Sequence, residues 1–146
     1  MGVESLTRRA DRAISAIAAR QHGVVARRDL LLAGVTSRQI GVRLGNGRLH
    51  EIHRGVYLVG HRVLTEHGRD MAALLACGAG AVLSHRSAAA LWDLLRYPAS
   101  APACVTLPPG RSIERAGIEA HRALIPRRDV RWRKRMALTC PPRTIQ

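Results

Sequence analysis

Leu6, Ala10, Ala13, Ile14, Ile17 and Ala18 recur every three to four residues, and arginines fill the other positions. That spacing puts the apolar residues on one face and predicts a helix over residues 5–21. His22 and Gly23 stop it, glycine being the residue that most readily closes a helix. Val24 and Val25 read as a short extended piece. Residues 27–33 read as a second, shorter helix closed by Gly34.

The third helix has the strongest local signals. Thr36 followed three residues later by Gln39 is a capping box, and Val35 with Ile40 forms a hydrophobic staple. Ile40 and Leu44, one turn apart, face inward, which leaves Ser37, Arg38, Val42 and Arg43 facing outward. Gly41 weakens the helix by about 1 kcal/mol relative to alanine, as expected where another backbone comes close. Gly45 ends the helix and Asn46-Gly47 marks a tight turn. Residues 49–54 and 56–59 then read as two strands turning at Gly55, with imperfect alternation in the first. Three helices and a hairpin in residues 1–60 follow the order of a winged helix-turn-helix domain.

The pattern changes around residues 60–64, where a domain boundary is expected. Beyond it a helix over 65–77 is broken by Gly78-Ala79-Gly80. A short strand over 81–83 leads to Ser84, an N-cap for a helix over 85–95 with Ala88, Leu91, Trp92 and Leu95 on one side. Strands are expected at 104–107, 118–123 and 136–140, and 127–135 is a charged loop or hairpin. Residues 141–146 look like the opening of a helix. The fold class is therefore α+β: a winged helix-turn-helix (1–60), then a small α/β domain (61–146) that reads as C-terminally truncated.

Charge sharpens the functional reading. Lys and Arg number 24 against 10 Asp and Glu, a formal charge of +14. Residues 1–60 hold ten basic and four acidic residues, net +6; the rest hold fourteen and six, net +8. Such an excess draws a chain to polyanions, and double-stranded DNA is the expected partner. No apolar run approaches the span of a bilayer, and residues 7–20 carry arginines in place of a signal core, so no membrane partner and a cytoplasmic location are expected. Cys77, Cys104 and Cys140 are too scattered for a disulfide framework or a zinc finger.

Arg38 and Arg43 are the candidate base readers, with Ser37 and Gln39 on phosphate or adenine. The capping role of Gln39 competes with that use. Arg48, His50 and Arg54 on the hairpin are candidate phosphate or minor-groove contacts, and Arg27 and Arg28 open the second helix, where backbone N–H groups attract phosphate. No catalytic, metal or cofactor site is expected. Ser84 and His85 are adjacent with no acid to complete a triad, so they read as a cap and a first-turn residue. Asp70, Asp93, Glu114 and Glu119 are unclustered, and the sole lysine, Lys134, sits among arginines. His85, His121, Cys77 and Cys104 lack ligand spacing.

Several runs resemble a known family. His22-Gly23-Val24-Val25, Gly34-Val35-Thr36-Ser37-Arg38-Gln39-Ile40, Gly47-Arg48-Leu49-His50 and Arg54-Gly55-Val56-Tyr57 resemble the N-terminal winged helix of AbiEi-type antitoxins. So do the segments from Leu83 to Leu95 and from Leu138 to Ile145. The resemblance implies a transcriptional repressor of its own promoter and an antitoxin of a type IV toxin–antitoxin pair. Its functional counterpart would be a nucleotidyltransferase-like toxin. Relatives with this N-terminus often continue into a very-short-patch-repair-like endonuclease domain. The alternative reading is thus the targeting part of such a nuclease, with its chemistry beyond Gln146.

Overall fold

The computed structural model describes residues 2–60 and 63–144, without the side chains of Val3 and Glu4. His61, Arg62, Ile145 and Gln146 lie outside them, and with them part of the expected boundary segment and of the closing helix. The chain divides into two compact units, Met1–Leu64 and Thr65–Gln146. Among the described residues it is a mixed α and β protein with six α-helices and two sheets.

The first unit runs α1 (Val3–Arg20), β1 (Val24–Ala26), α2 (Arg27–Leu32), α3 (Ser37–Gly45), β2 (Leu49–His53) and β3 (Val56–Val59). Ala10, Ile14 and Ala18 of α1 bury their stripe against Val25, Leu30, Val35, Ile40, Leu49 and Tyr57. Leu6, assigned to the same stripe from its spacing, is 54% exposed, one turn before the buried run begins. The helix closes at His22 and Gly23, both at positive φ, with Gly23 N–H donating to the Ala18 carbonyl at 2.9 Å. β3 lies at the centre of an antiparallel sheet ordered β1-β3-β2. The register of β2 shifts between Glu51 and His53. That bulge explains the imperfect alternation in the sequence, because an extra residue reverses the facing of those after it.

α3 begins as its sequence dictates. Gln39 N–H donates to Thr36 Oγ1 at 3.1 Å, and Thr36 N–H donates to Gln39 Oε1 at 2.9 Å. Val35 and Ile40 are both buried in the core cluster. Asn46 Oδ1 accepts from Arg48 N–H at 3.1 Å, closing the turn into β2. Among the described residues no backbone closes on Gly41: a methyl group there would meet open space, as at Gly45.

The second unit runs α4 (Glu66–Cys77), β4 (Val82–Leu83), α5 (His85–Leu91), β5 (Ala103–Leu107), β6 (Ile118–Arg122), β7 (Val130–Arg133), β8 (Met136–Thr139) and α6 (Pro141–Thr144). Its sheet is ordered β6-β5-β4-β8-β7. β5–β6 and β4–β8 are parallel, β4–β5 and β7–β8 antiparallel. Leu83, Val105, Leu107, Met136 and Leu138 are buried, with Ala72 and Ala73 of α4 and Ala88 of α5. α5 stops four residues short of the expected end, because Asp93 takes a left-handed φ of 62° and Leu94 N–H turns back to the Ala89 carbonyl. The charged 127–135 segment is a 3-10 turn followed by the β7–β8 hairpin, with Lys134 and Arg135 both at positive φ in its turn.

One polar cluster sits inside this unit. Arg69 and Asp70, both on α4, are 4% and 2% exposed and pair at 2.9 Å. Arg69 also donates to the Tyr97 and Pro98 carbonyls, and its guanidinium lies 4.7 Å from the Tyr97 ring centre. Burial pushes the Asp70 carboxyl above its ordinary range, partly opposed by the hydrogen bond and charge of Arg69.

Candidate nucleic-acid interface

The outer side of α3 carries Arg38, Gly41, Val42 and Gly45, all exposed. Arg38 makes no hydrogen bond or ion pair among the described residues, and Val42 is 57% exposed. Arg38 and Val42 share a groove of about 480 Å³ with Thr7, Asn46, Arg48 and the edge of Arg43, which places two exposed candidate cations, Arg38 and Arg48, on one face. Arg48 is exposed at the start of the hairpin, Arg54 is exposed at its turn beside Gly55, and His50 is half-buried on β2.

Arg43 departs from the expectation. It is 5% exposed and faces inward. Its guanidinium pairs with Asp11 of α1 at 2.8 Å, and it donates to the Gln39 carbonyl at 3.0 Å and the Thr7 carbonyl at 3.3 Å. Arg43 is therefore a brace between α1 and α3, and it is removed from the base-reading set. The outward assignment overlooked that Arg43 lies three residues after Ile40 and so on its side of the helix; the arginine is long enough to bury its stem while its head reaches a carboxylate on another helix.

Other candidates are partly engaged. Arg27 donates to Ser37 Oγ at 2.9 Å and to the Tyr57 hydroxyl at 3.3 Å, tying the start of α2 to α3 and β3. Ser37 remains exposed, with its oxygen accepting from Arg27. The Gln39 side-chain oxygen is occupied by the capping box. Arg48 reaches Asp11 at 3.5 Å while 64% of its side chain stays exposed, so that pair is loose. Arg28 is exposed at the opening of α2. The residue that sequence reasoning missed is Asp11. It holds two of the nine candidates, but a single acid on an arginine-rich helix carries no spacing signal.

The second unit overturns one local assignment. Ser84 makes no side-chain cap to α5. Its Oγ instead accepts from Thr106 Oγ1 at 2.7 Å, a partner 22 residues away. His85 adopts φ 50°, in the left-handed region, and its ring centre lies 4.1 Å from that of His121. His121 Nε2 lies 3.4 Å from Glu119 Oε1, without the alignment of a hydrogen bond. Burial lowers the proton affinity of His85 below the usual imidazole range. His121 pushes the same way, and Glu119 opposes it.

Among the described residues, no three His, Cys, Asp or Glu side chains come together as a metal site. No helix among them is long and apolar enough to cross a membrane. The three cysteines are buried and form no disulfide. No protein-family model matches the chain, and no curated protein matches it at a significant level.

Proposed function

We propose that the chain is a sequence-specific DNA-binding repressor whose first unit works as a winged helix. In this reading α3 enters the major groove and the β2–β3 hairpin is the wing. The observation that carries it is the outer face of α3. A firmly capped helix presents the unpaired Arg38 guanidinium beside Val42, with Arg48 on the same groove and Arg54 at the hairpin turn. Arg38 supplies the planar fork that suits guanine O6 and N7. Gly41 and Gly45 keep the helix surface low, so its backbone can come close to the bases. Arg48, Arg54 and Arg28 supply contacts to phosphate.

Fluorescence anisotropy of the full chain tests this, using duplex DNA from upstream of its own coding sequence and a scrambled duplex. The own-promoter duplex is expected to bind more tightly. Its log affinity is expected to fall linearly with log salt, with a slope of about 0.9 for each phosphate neutralised. Equal affinity for both duplexes would defeat sequence-specific reading, and a flat salt response would defeat phosphate contact.

The antitoxin role is supported by the resemblance of the two-unit sequence to AbiEi-type proteins, and the proposed functional counterpart is a nucleotidyltransferase-like toxin. Expression of the full chain is expected to restore growth to cells producing such a toxin encoded beside it. Growth arrest that persists at normal levels of folded protein would refute that role.

A further inference from the structure

We propose that the second unit binds a phosphate monoester in the cavity bounded by Ser84, His85, Thr106, His121, Arg122 and Arg143. The cavity measures about 350 Å³, within the range of small-ligand sites. Strand register builds it. Thr106 of β5 pairs with Val82 of β4 and His121 of β6, so Thr106, His121 and Ser84, two residues beyond Val82, share one face of the sheet. Arg143 comes from α6.

Two observations point to an oxyanion. Ser84 is 3% exposed and its oxygen already accepts from Thr106. Its own proton has no acceptor among the described residues, and a buried hydroxyl on a cavity wall offers that proton to whatever enters. Arg122 is exposed on the cavity wall with no hydrogen bond or ion pair among the described residues. Arg143 uses one nitrogen on Asp129 at 3.2 Å, which leaves the rest of its fork for a ligand.

The donor set selects the ligand. Arg122, Ser84 and Arg143 come from three separate elements, β6, the end of β4, and α6. A planar carboxylate has two oxygens to offer such a set, whereas a phosphoryl group has three. Of the acids nearby, Asp129 is paired with Arg143, and Glu119 accepts from the Cys104 thiol at 3.6 Å. The space left beside a phosphoryl group takes an esterified substituent, against the His85 and His121 imidazoles, whose planes meet at 40°. That substituent belongs either to a free phosphate ester or to the phosphorylated end of a nucleic-acid strand.

NMR of the histidine ring signals in the full chain tests the site. The probes are ribose 5-phosphate, ribose, and a short single-stranded oligonucleotide with and without a 5′-phosphate. The His85 and His121 signals are expected to shift saturably with the phosphorylated probes and not with ribose. Arg122→Gln, an exposed position, and Ser84→Ala are each expected to weaken binding about tenfold or more. Arg20→Gln, an exposed arginine on α1, is expected to leave it unchanged. Tighter binding of ribose 5-phosphate identifies a free ester as the ligand; tighter binding of the phosphorylated oligonucleotide identifies a strand end. Unmoved histidine signals would overturn the proposal. So would shifts that survive Arg122→Gln, or that weaken equally in Arg20→Gln, since these mark general attraction to a basic chain.

Discussion

Asp70→Ala is expected to lower the stability of the second unit by about 3–5 kcal/mol, because it leaves the Arg69 charge buried without a counter-ion. Arg69 is 4% exposed, and its remaining partners are the Tyr97 and Pro98 carbonyls and the Tyr97 ring, none of which carries a formal charge. A loss of this size approaches the whole stability of a small domain, roughly 5–15 kcal/mol. Urea unfolding should show a much earlier transition for the variant. The double replacement Arg69→Met with Asp70→Leu is expected to recover most of the loss, since removing both charges removes both desolvation penalties.

The pH dependence has a definite sign. The folded carboxyl of Asp70 is raised above 3.8, its largest cause being burial. Folded protein therefore holds that proton more tightly than the unfolded chain does. The resulting stabilisation is complete below 3.8 and is lost as pH rises through the folded value. Above that window the carboxylate is ionised and paired with Arg69, and the cost of its burial offsets much of what that pairing contributes. If the double variant proves as unstable as Asp70→Ala, the charge argument fails and packing around α4 takes its place.

The second large effect separates two arginines on one helix. Arg38→Ala is expected to weaken binding to the own-promoter duplex by about 1–3 kcal/mol, provided the guanidinium is bidentate to a base. Its stability should change by no more than about 0.5 kcal/mol, as for an exposed position with no partner. Arg43→Ala is expected to do the opposite first. It removes the pair to Asp11 and two hydrogen bonds to backbone carbonyls, a loss of about 1–3 kcal/mol in folding stability. Any fall in DNA affinity should follow from the loosened α3 and recover when the fold is stabilised at lower urea or temperature. Anisotropy and thermal unfolding on the same samples decide it. Unchanged affinity in Arg38→Ala removes α3 from the reading role. A stable Arg43→Ala that fails to bind DNA would return Arg43 to the contact set.

The contrast between Arg38 and Arg43 marks how far the interface was legible in the chain. Both are arginines on a short amphipathic helix, and the sequence reading put both on the outer side. Helix geometry separates them: Arg43, three residues after the buried Ile40, lies on its side of the helix, and Arg38, two residues before it, lies opposite. Asp11, 32 residues earlier, then pairs with the one on the buried side. Ser84 gives the same lesson in the second unit. Its position before a helix suggests a cap, yet a hydroxyl on a strand 22 residues away takes its oxygen. The cavity beside it was not legible, because its walls are assembled by strands that lie far apart in the chain. One sequence expectation, the burial of Leu6, is not met, because the buried stripe of α1 begins a turn later at Ala10.

Features set by neighbours along the chain could be read directly. The Thr36–Gln39 capping box, the stop at His22 and Gly23, the turn at Asn46-Gly47 and the hairpin at Gly55 each depend on groups within a few residues. Their geometry follows from backbone sterics and short hydrogen-bonded rings. The order β6-β5-β4-β8-β7, the pairing of Arg43 with Asp11 and the meeting of His85 with His121 had no such local origin. Those arrangements come from burying one apolar surface against another, and polar side chains then pair with whatever the packing brings within reach.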